Sequence, residues 1–229
     1  MDRYVKPVVA ELVGTFAFFF IGAGAIVDNS YLTAQHQPGF GLIGIALAHG
    51  LILAIMITAF GATSGGHFNP AVTLGFLATR RIKIDLAVLY IAAQLIGGIL
   101  AGLALRAIFP ETIWQASHLG TPDLSPGVSV GTGILLEAIL TFFLLLAIFG
   151  TAVDARAPRL GGFPIGLTVA VDILVGGPLT GASMNPARTL GPAIAGGYYS
   201  NDLVYIVGPI VGAVLAALLY NNVILRETP

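Results

Sequence analysis

The chain has 229 residues, of which 56% are hydrophobic and 9% are charged, against roughly 25% charged residues in soluble domains. This composition and a mean hydropathy of +0.92 indicate an integral membrane protein and exclude an ordinary soluble domain. A formal net charge of −1 leaves no basic surface for nucleic acid. The lack of cysteine excludes disulfides, thiolate metal sites and cysteine nucleophiles.

Apolar stretches recur along the whole chain, and six of them predict helices that cross a hydrocarbon core of about 30 Å. In chain order they cover 7–27, 41–60, 84–109, 130–149, the short stretch 163–175, which could reach Pro178, and 203–220. No small-residue cleavage site follows the first stretch, so we interpret it as a retained span and not as a signal peptide.

A repeated segment lies between spans in each half of the chain. Residues 64–75 align without gaps on residues 180–191 and are identical at seven of twelve positions, including Asn-Pro-Ala at 69–71 and 185–187. The apolar runs that follow, 70–77 and 186–195, are too short to cross a bilayer and predict re-entrant half-helices. Each half then holds three spans, an odd number, so the second half must be inverted relative to the first.

The predicted fold is therefore an all-α membrane protein with six transmembrane helices and two re-entrant half-helices in an inverted repeat. We expect a single domain over 1–229, with repeats of about 1–115 and 130–229 joined by an outer loop at 110–129. The working site of such inverted repeats lies near the bilayer midplane.

The Asn-Pro-Ala boxes have a direct physical interpretation. Pro70 and Pro186 suit the first position of a helix, where the missing N–H is no loss. Asn69 and Asn185 are good N-caps, and their NH₂ groups remain as donors directed away from the helix end. Each helix start also carries about half a positive charge. One box alone indicates only a helix start, whereas an inverted pair predicts a pore centre that breaks a proton wire and disfavours cations.

The basic residues give an independent prediction of topology. Only Arg106 and Arg188 fall on one side of the six-span arrangement, and the positive-inside rule then places both termini in the cytoplasm. Trp114 in the outer loop is expected to anchor at the membrane interface. The basic residues on the other side are Arg3, Lys6, Arg80, Arg81, Lys83, Arg156, Arg159 and Arg226.

Over its whole length the chain resembles the major intrinsic protein family, the aquaporins, and its prokaryotic members in particular. The resemblance lies in residues 10–16 of the first span, both Asn-Pro-Ala boxes, Gln94 with Gly97-Gly98, Glu137, and Gly208-Pro209. It implies a passive water channel with no enzymatic activity, no cofactor and no metal. It further implies a homotetramer with one pore per subunit. The small size and short termini of the chain favour a prokaryotic plasma membrane as its location.

The resemblance also implies a second constriction, formed by His49, Ile173, Ala182 and Arg188. This set is similar to that of some plant vacuolar-membrane aquaporins. By the same resemblance, Ile173 and Ala182 replace the histidine and the small polar residue of the strict water type, which implies a wider opening that passes water and leaks glycerol or another small neutral solute. Thr189 stands where the glycerol branch of the family has aspartate. The alternatives are a buried histidine bonded to a backbone carbonyl at His49 and an interfacial charge at Arg188.

Acidic side chains within the spans have structural and functional interpretations. By the resemblance, Glu11 and Glu137 accept hydrogen bonds from the backbone of their own half-helix loops and so support Pro70, Ala71, Pro186 and Ala187; the alternative is proton transfer. Asp172 is expected to pair with a neighbouring helix, to meet another subunit, or to lie near Arg188. In the outer loop, His118 is expected either to be solvated or to fold over the pore mouth.

Proteins of other classes remain as alternatives at this point. A proton-coupled carrier would use Glu11, Glu137, Asp172 and His49 as a relay. A structural or junction protein of the same fold would not conduct at all, because a fold does not by itself determine function. A membrane enzyme is disfavoured by the absence of a nucleophile motif in the sequence.

Overall fold

The structure, a computed structural model, describes residues 2–225, and the regular secondary structure within that range is helical; Arg226 lies outside the described residues. Six helices are long and apolar enough to cross a membrane within residues 2–225, which confirms the predicted spans. The helices in chain order are α1 (Asp2–Ala34), α2 (Gly41–Ser64), α3 (Pro70–Ala78), α4 (Ile84–Ile108), α5 (Glu111–Ala116), α6 (Val130–Ile148), α7 (Phe163–Thr180), α8 (Pro186–Gly196) and α9 (Asp202–Leu219). Single π-helical turns at Phe149–Val153 and Tyr220–Ile224 extend α6 and α9.

Three spans are longer than predicted, and one of them, α2, continues to Ser64. Helix α1 has 33 residues and is about 50 Å long, so it extends beyond a hydrocarbon core of about 30 Å. Helix α7 continues past Pro178 to Thr180 and ends at Gly181, whose φ is 77°. The carbonyls at this end accept hydrogen bonds from Ser125, at Pro178 O and Leu179 O, so the last turn is satisfied by the 110–129 loop.

The half-helices α3 and α8 begin at the two prolines of the repeated box. Asn69 Oδ1 accepts from the Ala71 N–H at 2.9 Å, and Asn185 Oδ1 accepts from the Ala187 N–H at 3.0 Å. Both asparagines have extended backbone conformations, as N-caps do. Helix α3 has 9 residues and α8 has 11, so neither can cross a bilayer alone.

The two halves of the chain pack into each other. Within each half the first span packs on the third, α1 on α4 and α6 on α9. Between halves, α3 packs against α9, α8 packs against α4, and α2 packs against α7. Each half-helix therefore rests on the third span of the opposite half, as expected for equivalent helices in an inverted repeat.

Glycine allows the backbones of α2 and α7 to touch. A Cβ atom on Gly50 would lie 2.5 Å from Gly166 O, and one on Gly166 would lie 2.1 Å from Gly50 O. Membrane helices use such small residues because close van der Waals contact replaces the hydrophobic driving force. This contact joins the two halves of the chain.

The 110–129 loop is folded onto the bundle, and Trp114 is not an exposed interface anchor. Trp114 is buried in a cluster with Val27, Leu105 and Leu119. The Arg106 guanidinium lies 4.7 Å from the centre of the indole ring and donates to Ala195 O at 3.0 Å. The prediction failed because burial against α1 and α4, together with a cation–π contact, stabilises the indole inside the loop.

Candidate pore

The two half-helices meet at their N-termini. Asn69 Nδ2 donates to Met184 O at 2.8 Å, and Asn185 Nδ2 donates to Phe68 O at 2.9 Å. Each capping side chain thus binds the backbone just before the other cap. These reciprocal hydrogen bonds fix the distance between the two helix starts.

This arrangement corrects the expectation that both N–H groups of each asparagine are free. One N–H of each side chain is used in the contact between the halves, and one remains. The cause is the backbone before each cap: Phe68 and Met184 have φ values of 46° and 55°, a left-handed conformation that turns their carbonyls toward the opposite asparagine. The sequence carries no signal for this conformation, because neither residue is glycine.

All six residues predicted to line the pore border one narrow cavity. They are Asn69 and Asn185 together with His49, Ile173, Ala182 and Arg188. The cavity has a volume of about 20 Å³, little more than one water molecule requires. The remaining wall is largely apolar and comes mainly from spans α1, α2, α6 and α7, with Phe18, Leu53, Leu144, Ile148, Ile165 and Val169.

Wider cavities adjoin the narrow one at both ends. The first, which we call the Arg188 vestibule, has a volume of about 250 Å³ and shares Arg188 and Ile173 with the narrow cavity. The second, the His67 vestibule, has a volume of about 460 Å³ and shares His67 and Gly66 with it. The Arg188 vestibule, the narrow cavity and the His67 vestibule thus follow one another and form one passage that is narrowest in the middle.

His49 is buried and held by its own helix. Its Nδ1 atom lies 2.9 Å from Ile45 O, so Nδ1 carries the hydrogen and donates it. Its Nε2 atom is buried without a hydrogen-bond partner in the part of the chain that the structure describes. The two interpretations of His49 therefore do not exclude each other, because the ring bonds to a backbone carbonyl and also borders the narrow cavity.

Arg188 is only 3% exposed, yet its Nε and Nη1 atoms have no hydrogen-bond partner within residues 2–225. The side chain borders both the narrow cavity and the Arg188 vestibule, so it is directed into the interior of the bundle. A buried cation with unsatisfied donors is costly unless water or a polar solute meets it. The guanidinium is thus placed to act on whatever occupies the passage.

Glu11 holds the loop before α3. Its carboxylate accepts from the backbone N–H groups of His67 at 2.9 Å and Phe68 at 2.7 Å. Ser64 Oγ and Gln94 Nε2 donate to it at 2.7 Å and 2.8 Å. With four donors, a fully buried carboxylate is well satisfied as an anion.

Glu137 holds the loop before α8 in the same manner. It accepts from the backbone N–H groups of Ser183 at 2.9 Å and Met184 at 2.7 Å, and from Thr180 Oγ1 at 2.7 Å. Thr180 occupies the position that Ser64 holds in the aligned segment 64–75. These matched hydroxyls were missed in the sequence analysis, although their alignment was the signal that could have identified them.

Asp172 does not line any of the three cavities, although Ile173 beside it lines the narrow one and the Arg188 vestibule. It is 5% exposed, and its Oδ2 atom has no hydrogen-bond partner among the described residues. A Cβ atom on Gly176, one turn later, would lie 2.4 Å from Leu140 Cδ1, so this face of α7 is turned toward α6. Asp172 forms no ion pair with a cationic side chain among the described residues.

Asp123 ties the 110–129 loop to the segment after α8 at the Arg188 vestibule. Partial burial opposes ionisation, but hydrogen bonds from Tyr198 at 2.6 Å and Asn201 at 2.9 Å hold the pKa of Asp123 below its usual value. His118 is exposed and stacks on Tyr198, with ring centres 3.6 Å apart. His118 lines neither the Arg188 vestibule nor the narrow cavity; it packs on Tyr198, whose hydroxyl donates to Asp123 in the vestibule wall.

Comparison with known proteins places these features in a family. The family model described as major intrinsic protein matches residues 2–220. Aquaporin TIP4-4 of Zea mays is 42% identical over 228 residues, covering 97% of this chain and 88% of that protein. Nodulin-26 of Glycine max is 40% identical, covering 99% and 80% respectively. In fold, the chain is similar to the aquaglyceroporin of Plasmodium falciparum, with a TM-score of 0.86, 24% identity, and 96% of this chain and 97% of that chain covered.

Proposed function

This chain belongs to the major intrinsic protein family, and we propose that its narrow cavity is a water pore with two constrictions in series. It is a multi-pass membrane channel for water and small solutes, and it is not an enzyme. In our proposal Asn69 and Asn185 form the central constriction. The second constriction, which we call the filter, consists of His49, Ile173, Ala182 and Arg188.

The observation that carries the proposal is the meeting of the half-helices inside the passage. The side chains of Asn69 and Asn185 both border the narrow cavity and are bonded across the two halves at 2.8 Å and 2.9 Å. A water molecule at this point accepts from the remaining N–H groups and directs its own hydrogens along the passage. The chain of hydrogen bonds that protons would follow is interrupted there.

Electrostatics support exclusion of cations at both constrictions. The N-termini of α3 and α8 each contribute about half a positive charge near the asparagines. Arg188 adds a full charge at the filter, where a cavity of about 20 Å³ leaves little water to screen it. A cation in the passage would therefore lose hydration and meet like charges.

The filter composition supports a permeability that is broader than water alone. The side chains of Ile173 and Ala182 carry no hydrogen-bonding group, and that of Ala182 has little bulk. Arg188 supplies donors to a solute hydroxyl or carbonyl. We propose water as the main substrate, with slow passage of glycerol or another small neutral solute.

A proton-coupled carrier is less well supported. Neither Glu11 nor Glu137 borders the narrow cavity, and each is satisfied by backbone and hydroxyl donors from a half-helix loop. A relay group needs access to the transported species and a partner to which it passes the proton. These contacts favour a structural role for both carboxylates.

The orientation, assembly and membrane of the channel are also proposals. The cationic residues counted by the positive-inside rule favour termini in the cytoplasm, so the Arg188 vestibule would open outside and the His67 vestibule inside. Large apolar side chains such as Val171 and Leu174 are exposed on the spans and need lipid or other subunits against them. We propose a homotetramer in the plasma membrane, with one pore per subunit.

The experiment is osmotic shrinkage of liposomes that contain the purified protein, followed by stopped-flow light scattering. We expect water permeability above that of empty liposomes, with a low activation energy, slower glycerol entry, and no dissipation of a proton gradient.

A matched pair of variants, Ile173→Trp and Leu174→Trp, tests the path of the water. Ile173→Trp places an indole in the narrow cavity and should abolish water flux, whereas the side chain at position 174 faces outward and Leu174→Trp should leave the flux unchanged. Water flux equal to that of empty liposomes would exclude a water channel.

A further inference from the structure

The imidazole ring of His49 lies in a notch on α1 that exists only because residue 22 is glycine. A Cβ atom on Gly22 would lie 2.5 Å from His49 Cδ2 and 2.8 Å from His49 Nε2. Carbon atoms that are not bonded do not approach this closely, since attraction turns to repulsion well outside these distances. The Cδ2–Nε2 edge of the ring therefore occupies the volume that any side chain at position 22 would take.

Two other contacts define the remaining sides of the ring. Nδ1 donates to Ile45 O at 2.9 Å, which ties the imidazole to its own helix. Phe18, one turn before Gly22 on α1, meets the ring edge-on with centres 6.2 Å apart. The side that remains borders the narrow cavity.

We propose that Gly22 is a positioning residue for the filter: by lacking a side chain, it lets the His49 ring recede from the passage and so sets the width of the constriction. Gly22 itself is absent from the lining of the narrow cavity, so it acts through His49. The inference rests on the proposed function, since it assumes that His49 narrows the conducting path.

The direction of the displacement follows from the contacts. A methyl group at position 22 forces the ring away from α1, while the bond to Ile45 O prevents it from moving far along α2. The only yielding side is the cavity, whose volume of about 20 Å³ leaves no room for a displaced ring and a solute together. Gly22→Ala should therefore narrow the filter.

The test is a double-mutant cycle with Gly22→Ala, His49→Ala and the combination of both, in liposomes with a measured number of channels. We expect Gly22→Ala to lower water permeability about tenfold, which corresponds to about 1.4 kcal/mol of added barrier. Glycerol entry should fall further, because glycerol is wider. In the His49→Ala background the same glycine substitution should change neither flux, since no ring remains to be displaced.

Gly24→Ala is the matched control on the same helix. Its Cβ would approach the end of a flexible leucine, Leu105 Cδ2, at 3.1 Å, and it is not at the passage. We expect the water and glycerol fluxes of Gly24→Ala to equal those of the parent protein.

The possible outcomes separate this inference from the proposed function. If His49→Ala changes the fluxes but Gly22→Ala does not, or if Gly22→Ala has the same effect in both backgrounds, the positioning role is wrong and the filter remains. Fluxes of His49→Ala equal to those of the parent would refute the positioning role and remove His49 from the filter, and would leave the proposed water pore and its central constriction standing. If Gly22→Ala does not assemble, assembly of the double variant supports the clash with His49, and failure of both variants shows that Gly22 serves packing alone.

Discussion

At the scale of single residues, the channel depends on donors that the protein leaves unpaired. Arg188 is almost fully buried, and two of its nitrogen atoms lack partners within residues 2–225. Elsewhere the buried polar groups of the half-helix loops are closely satisfied, as in the carboxylate of Glu11. Unpaired donors cost free energy when no solute meets them, so the Arg188 guanidinium favours occupation of the narrow cavity by water.

Replacement of Arg188 by valine removes both the charge and the bulk of the guanidinium. We expect Arg188→Val to increase glycerol permeability several-fold and to allow measurable proton flux, because the filter becomes wider and loses its repulsion of cations. Stopped-flow scattering and a pH-sensitive dye inside the liposomes measure the two effects. Arg106→Lys is the control, since Arg106 packs on Trp114 away from the passage. Unchanged fluxes in Arg188→Val would place the arginine outside the constriction.

The substitution Asn69→Asp separates the two roles of the central asparagine. One carboxylate oxygen can still accept from the Ala71 N–H and so preserve the helix cap. The other replaces the donor to Met184 O with an acceptor, which loses one hydrogen bond and introduces repulsion. We expect lower thermal stability, by about 1–3 kcal/mol for the unsatisfied pair, and a higher cation leak from the added negative charge.

The exposed residue Asn222 provides the control for that experiment. Asn222 Oδ1 only accepts a hydrogen bond, from Asn221 Nδ2, and Asn222→Asp preserves an acceptor while adding the same charge at the surface. The melting temperature and the cation leak of Asn222→Asp should equal those of the parent protein. A cation leak of the same size in both variants would attribute the effect of Asn69→Asp to net charge and not to position.

At the scale of secondary structure, each half-helix is held by one buried carboxylate and by the opposite cap. Glu137→Gln retains the shape of the side chain but replaces one acceptor by an NH₂ group, which then faces a backbone N–H of Ser183 or Met184. Leaving one buried donor unsatisfied costs about 1–3 kcal/mol. We expect a lower unfolding temperature and reduced water flux, measured on the same preparation; exposed Glu111→Gln should change neither. Full stability in Glu137→Gln would exclude the supporting role.

The spans and the half-helix starts could be predicted because each depends on a local rule. Hydrophobic length specifies a span, and Asn followed by Pro specifies an N-cap and first turn. The extension of α7 through Pro178 depends instead on Ser125, 53 residues away, which satisfies its last carbonyls. Similarly, the left-handed conformations of Phe68 and Met184 come from contacts between the halves, and no propensity of these residues indicates them.

At the scale of the whole molecule, the passage exists only when both halves of the chain are folded together. Helix α3 rests on α9 and α8 on α4, so each half supplies the support for the other's half-helix. The same packing puts a narrow cavity between two wide vestibules and limits the desolvation of a solute to a short distance. A short constriction combines selectivity with rapid passage, since few hydrogen bonds must be exchanged on the way.

The lack of cysteine in the whole chain makes the passage testable with thiol reagents. We expect mercury(II) chloride to leave the water permeability of the parent unchanged, because there is no thiolate for it to bind. Ala182→Cys introduces a thiol into the narrow cavity and should make the channel sensitive, with recovery after addition of a reducing thiol. Val175→Cys, which is 65% exposed on the outer face of α7, should bind mercury without loss of flux. Inhibition of the parent would reveal a target other than a thiol, and an insensitive Ala182→Cys that nonetheless binds mercury would show that water takes another path.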